Sequence, residues 1–161
     1  DGVLLLTMRG ECLHTNQQGR RLCRLLGADA AVPTAIWSVC ERLIDSRSWL
    51  SEYSVVLSET VLGQEGSSIS IRVQWFELDS QPEPSILVTL ENKTQAAKVS
   101  ALVESRQYKL TPKETEVWVL RKINYSYEEI AAQLFIALNT VKRHIKSINA
   151  KRKQVMEEME A

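Results

Sequence analysis

Residues 110–153 read LTPKETEVWVLRKINYSYEEIAAQLFIALNTVKRHIKSINAKRK, and this stretch decides how the C-terminal part of the chain folds. It holds two helix starts in close succession. Thr111 can cap a helix, Pro112 suits the first helical position, and Glu114 stands three residues after the cap. That helix is expected to run to about Ile123, with Val117, Leu120 and Trp118 inward. Asn124 tolerates the left-handed conformation that ends a helix. Ser126 and Glu129 repeat the capping pattern, so a second helix is expected over Tyr127–Leu134, burying Ile130, Ala131 and Leu134. After a short turn a third helix starts near Leu138. At 100° per residue, Val141, Ile145 and Ile148 form its core stripe. Lys142, Lys146, Asn149 and Lys153 lie on a second stripe about 80–140° from Val141, with Asn139 and Arg143 beside it. Arg152 returns to the core side, so the helix is expected to end or bend near Ala150.

Two capped helices, a tight turn and an outward Lys/Arg/Asn stripe describe a helix-turn-helix. In a major groove, Lys and Arg reach guanine edges, Asn reaches adenine, and the remaining cations neutralise phosphates. A basic helix face alone is most often merely solvated; the doubled caps and the three-helix order favour the reader. The stretch closely resembles the LuxR-type C-terminal DNA-binding domain. The residues that carry the resemblance are Leu110 to Glu114, Glu129-Ile130-Ala131, Thr140-Val141-Lys142-Arg143-His144 and Ile148-Asn149-Ala150-Lys151. The resemblance implies a four-helix fold that binds double-stranded DNA as a dimer. It places Lys142 and Lys146 among the DNA contacts of the recognition helix, and Thr140 and Lys151 on phosphates. Two positions and one segment depart from the pattern. Asn124 stands where Gly is usual, and Ala137 stands where Ser or Thr would cap the recognition helix, a loss of ~1 kcal/mol unless Asn139 substitutes one turn later. The segment 154–161 (QVMEEMEA) is short and acidic where a dimerisation helix is usual, which moves the expected homodimer contact to the N-terminal module or the connector.

Charge separates the chain into two parts. Residues 1–107 hold 10 Lys/Arg and 13 Asp/Glu, whereas 108–161 hold 10 and 7. The net charge of zero over 161 residues therefore hides a mildly acidic part and a basic one, which suggests two modules with different partners. The composition is 44% hydrophobic and 25% charged, as in globular proteins, and excludes a wholly basic nucleic-acid coat. Apolar runs such as Val3 to Leu6 are far too short for a bilayer, and no secretory signal is visible, so no membrane partner and a cytoplasmic location are expected. The chain opens on Asp1-Gly2 without an initiator Met, which suggests a natural N-terminus further upstream.

Upstream, residues 3–7 and 11–16 read as a hairpin around Gly10. Residues 17–26 and 35–47 turn helical, burying Leu22, Leu25 and Leu26, then Ile36, Val39, Cys40, Leu43 and Ile44. Three strand-like runs follow at 53–62, 68–78 and 85–91. Strand, strand, helix, helix and three strands make an α+β module with an antiparallel sheet. The opening DGVLLLTMRGECLHTNQQGRRLCRLLG and this order resemble a PAS domain over about residues 1–94. The fold class expected is thus an α+β PAS-like sensor domain (1–94), a connector helix (95–108) and an all-α LuxR-type helix-turn-helix domain (109–161), most similar to cyanobacterial regulators that pair the two. In the connector, Val99, Leu102 and Val103 form a stripe suited either to a dimer contact or signal rod, or to packing on its own sheet.

No cofactor is expected. His14 falls on a strand, not on a helix where a haem ligand would be usual, and the Asn-Cys-Arg-Phe motif of flavin-binding PAS domains is absent. Trp37, Trp49 and Trp75 are read as core. Cys12, Cys23 and Cys40 match neither a disulfide framework nor a zinc pattern and are expected reduced and interior, a redox-sensing role for one of them being the alternative. No nucleophile–base pair, carboxylate pair or phosphate loop is visible, so no enzyme is expected. The reading is a sequence-specific transcriptional regulator whose candidate DNA-binding residues are Asn139, Thr140, Lys142, Arg143, Lys146, Asn149, Lys151 and Lys153. RNA polymerase or a regulatory protein is a possible further partner, and the alternative is an adaptor whose helix-turn-helix docks a protein.

Overall fold

The computed structural model describes residues 1–27 and 31–161. The chain separates into two compact units, Asp1–Lys93 and Thr94–Ala161.

The first unit is built on a five-stranded antiparallel sheet. Its strands are β1 (Gly2–Leu6), β2 (Cys12–Thr15), β3 (Val56–Leu62), β4 (Ser68–Phe76) and β5 (Ser85–Asn92), in the spatial order β2-β1-β5-β4-β3. Two helices, α1 (Gln17–Leu25) and α2 (Thr34–Ser46), lie between β2 and β3 in sequence. Alternation along β4 and β5 turns Ile69, Ile71, Val73, Ile86, Val88 and Leu90 to one face, where they meet Leu22, Ile36, Val39 and Leu43 of the helices. This is the PAS-like order of elements expected from the sequence.

Local chemistry sets the β1–α1 junction. Gly10 takes φ 89° in the hairpin turn, where Gly10 N–H donates to Thr7 O. Asn16 caps α1, its Oδ1 accepting the Gly19 N–H at 2.7 Å and the Val3 N–H at 3.0 Å, while its Nδ2 donates to Asp1 O. Gly19 lets α1 approach this closely, because a Cβ there would sit 2.8 Å from Val3 O.

Two expectations fail in this unit. Cys12 is exposed, because β2 is an edge strand with no neighbour on one side, although Cys23 and Cys40 are buried. Trp49 lies beyond the end of α2 and is 68% exposed, whereas Trp37 and Trp75 pack against the core.

The second unit is helical. It comprises α3 (Lys93–Gln107, all but its first residue), α4 (Pro112–Lys122), α5 (Tyr127–Leu134) and α6 (Leu138–Glu160). Ala101, Val117, Trp118, Ile130, Val141, Ile145 and Ile148 form its core. Thr111 and Glu114 make the full capping box, and Ser126 Oγ accepts the Glu129 N–H. α3, α4 and α5 each end on a left-handed residue: Lys109, Asn124 and Phe135.

α6 does not end near Ala150. It runs unbroken for 23 residues through the segment expected to be a separate acidic tail. Arg152 does return to the core side, where its guanidinium lies 5.2 Å from the Trp118 ring centre and 5.8 Å from that of Tyr108, while its Nε is buried without a hydrogen-bond partner. Ala137 is the cap residue and makes no side-chain cap bond, so Asn139, inside the first turn, does not substitute for the missing hydroxyl.

Candidate nucleic-acid interface

The continuity of α6 fixes the angular place of each candidate residue. Counted at 100° per residue from Val141, Asn149, Lys142, Lys153, Lys146, Asn139 and Arg143 fall within an arc of about 120°. All six are exposed. Thr140 and Lys151 are not part of this arc. They lie on the opposite flank of the core stripe and are half-buried.

The cations divide in the same way. Lys151 Nζ donates to Glu114 Oε1 at 2.5 Å, and Lys122 Nζ donates to Glu104 Oε1 at 2.9 Å. Among the described residues, Lys142, Arg143, Lys146 and Lys153 have no carboxylate within ion-pair distance. One face of α6 therefore carries four uncompensated cations and two carboxamides, while its other cations are tied into the fold.

Two glutamates hold this face in place, and the sequence pattern announces neither in full. Glu114 is legible there only as a cap. It is also 4% exposed and accepts from Ser147 Oγ at 2.5 Å and Lys151 Nζ, besides the Thr111 N–H at 2.9 Å. Burial alone would raise its pKa. The hydrogen bonds from Lys151, Ser147 and the Thr111 backbone, with the Lys151 charge, outweigh burial and hold it down at about 2. Glu104, on α3, accepts from Trp118 Nε1 at 2.7 Å as well as from Lys122. Burial opposes its ionised form, but Lys122, Trp118 and Arg152 together lower its pKa. A buried Trp needs a partner for its N–H, and that need is the signal that could have pointed to Glu104.

α3 consequently has two faces. Ala101 and Glu104, with Tyr108 just past the end of the helix, turn to the helical core and its aromatic–cation cluster. Val99, Leu102 and Val103 point the other way and are exposed. Among the described residues there is no cluster of His, Cys, Asp and Glu able to hold a metal, and no helix is long and apolar enough to cross a membrane.

A capped helix, a tight turn and a second helix with an uncompensated basic face define a helix-turn-helix reader that follows a sheet module in the chain. Residues 108–159 match the family described as bacterial regulatory proteins, luxR family, and this part of the chain is a LuxR-type helix-turn-helix domain. No curated protein matches the chain. Among solved structures, the Vibrio cholerae VqmA–ligand–DNA complex is similar at 12% identity and a TM-score of 0.43, covering 97% of this chain and 79% of that one. The phage VqmA–DPO complex is similar at 15% identity and a TM-score of 0.41, covering 99% and 81%. A PAS domain from Desulfitobacterium hafniense is similar at 16% identity and a TM-score of 0.36, covering 57% and 92%.

Proposed function

We propose that the chain is a sequence-specific DNA-binding transcriptional regulator acting in the cytoplasm, in which the PAS-like unit senses a ligand or partner and controls dimeric binding by the reader. The observation that carries this reading is the partition of charge on α6. Lys142, Arg143, Lys146 and Lys153 stand exposed and uncompensated on one face, beside Asn139 and Asn149. Cations on such a face neutralise phosphates, and Lys, Arg and Asn match base edges in a major groove. Thr140 and Lys151 reach phosphates only from the flank, and Lys151 does so while held by Glu114.

One reader of this size touches few bases, so useful affinity calls for two copies on two half-sites. The exposed stripe of Val99, Leu102 and Val103 on α3 supports a homodimer contact through the connector. The functional divisions are taken as 1–94, 95–108 and 109–161. Regulation then runs through RNA polymerase or another regulatory protein.

The test is binding of the full chain to genomic DNA fragments across a salt titration, with sequencing of what is retained. A steep salt slope and a near-palindromic enriched sequence are expected. Lys142→Ala and Lys146→Ala should weaken binding. Where the removed ammonium neutralises a phosphate, the salt slope should fall by about 1. A shallow slope without enrichment refutes the reading in favour of a protein-docking adaptor.

A further inference from the structure

The turn of the reader carries a residue that its fold does not require. Phe135 closes α5 at φ 56° and ψ 44°. A bulky side chain in this left-handed region is an outlier, because its Cβ crowds the following carbonyl, a crowding that glycine avoids. Such strain is ordinarily retained where the side chain is needed. Within this chain the ring is not needed: it is 94% exposed, while its neighbours Leu134 and Ile136 supply the packing of the turn. Of the other two left-handed helix ends of the unit, Asn124 is a residue type that tolerates the conformation, and Lys109 bears the same backbone crowding but carries a polar side chain that water solvates. Phe135 alone combines a strained backbone with an apolar ring held in water.

Its place gives the ring a target. Phe135 stands three residues before Leu138, the first residue of α6, whose opening turns carry Asn139, Lys142 and Arg143. A helix-turn-helix puts the N-terminal end of its second helix into the major groove, so the preceding turn stands at the groove edge. The apolar group that base pairs offer there is the 5-methyl of thymine, and Phe is among the side chains that contact it. We propose that Phe135 is a specificity-determining contact that sets its ring against a thymine methyl at the edge of each half-site. This rests on the DNA-reading assignment of α6.

The experiment selects random-sequence duplexes with the full chain and with Phe135→Gly, and melts both proteins. Phe135→Gly should melt higher, because glycine relieves the strain and no packed side chain is removed. It should retain DNA with the parental salt slope but without preference for thymine at one edge position. Uracil in place of that thymine removes only the methyl. It should weaken the parent about fourfold, the effect of one methyl-sized contact, and leave Phe135→Gly unchanged. Parental affinity and consensus in Phe135→Gly, alongside weakened binding by Lys142→Ala, would overturn the contact while leaving the reader intact; an aromatic that docks a protein gives this result. A lower melting temperature for Phe135→Gly would overturn it by giving the ring a structural role. If the parent itself selects no sequence, the contact and the DNA-reading assignment fall together.

Discussion

Glu114→Gln is expected to loosen the helical unit more than any exposed substitution on α6. The carboxylate is nearly buried and meets Lys151, Ser147 and the Thr111 N–H at once. In the unfolded chain its pKa is 4.5, and in the folded chain it is held at about 2. One pKa unit corresponds to about 1.4 kcal/mol, so the full shift is worth about 3.5 kcal/mol, and the ionised carboxylate contributes roughly 2–3 kcal/mol at neutral pH once the partial exposure of Lys151 is allowed for. The folded pKa lies below the unfolded one. The stabilisation is therefore complete above about pH 4.5 and is lost as the pH falls toward 2. Glutamine can still cap α4 but cannot compensate the Lys151 charge. Hydrogen exchange of α4 and α6 amides, read by mass spectrometry, reports this unit separately from the sheet unit. Glu114→Gln should lower protection by roughly 2–3 kcal/mol at pH 7 and flatten its dependence on pH below 4.5. Lys151→Gln alone should raise the pH at which protection is lost, and the double variant should cost less than the two singles added. A loss under about 0.5 kcal/mol, the range of an ordinary surface change, together with an unchanged acid profile, would refute the reasoning.

Val141→Asp or Ile145→Asp should unfold the helical unit, seen as loss of α4–α6 exchange protection, because each buries an unpaired charge in its core. Lys142→Ala, on the exposed face, should leave that protection unchanged. Asn16→Ala should lower the stability of the sheet unit by about 2 kcal/mol in thermal unfolding, since it removes the α1 cap and strands the Val3 N–H. Asn16→Asp, which keeps both acceptor bonds, should cost less. Thiol labelling of the native chain at pH 8 should modify Cys12 and spare Cys40, whose pKa burial pushes up to about 12, leaving about one part in ten thousand ionised. Cys23, raised by burial and by the neighbouring Cys12, should also be spared until urea unfolds the chain.

The elements that the sequence locates well are those with local punctuation. Thr111-Pro112, Ser126 and Asn124 specify helix ends through bonds to their own backbone, and the alternation of Ile69, Ile71 and Val73 specifies a strand facing a core. Features that depend on partners distant in sequence are not legible. Arg152 reads as a charge turning into the core, because nothing near it announces the rings of Trp118 and Tyr108. Glu114 is satisfied as a cap by local rules alone, and its bonds to Ser147 and Lys151 span more than 30 residues. The connector is conspicuous in sequence through Val99, Leu102 and Val103, yet the face that docks is the opposite one, where Ala101 is small and Glu104 is charged. Thr140 and Lys151 come from family resemblance, and the helical phase separates them from the other six candidates.

The unbroken length of α6 has a polar consequence. Its 23 residues make a rod about 34 Å long, nearly three times the width of a major groove. In the proposed DNA-reading role only part of it would meet the groove at once. The exposed cations occupy positions 142–153, and Glu157, Glu158 and Glu160 follow one turn later. Beside phosphates those carboxylates are repelled over about a Debye length, some 8 Å at physiological salt. In the proposed DNA-reading role this charge order would act as a depth stop, drawing in the front half of the rod and halting its rear, so that insertion depth would be set by charge order along a single helix.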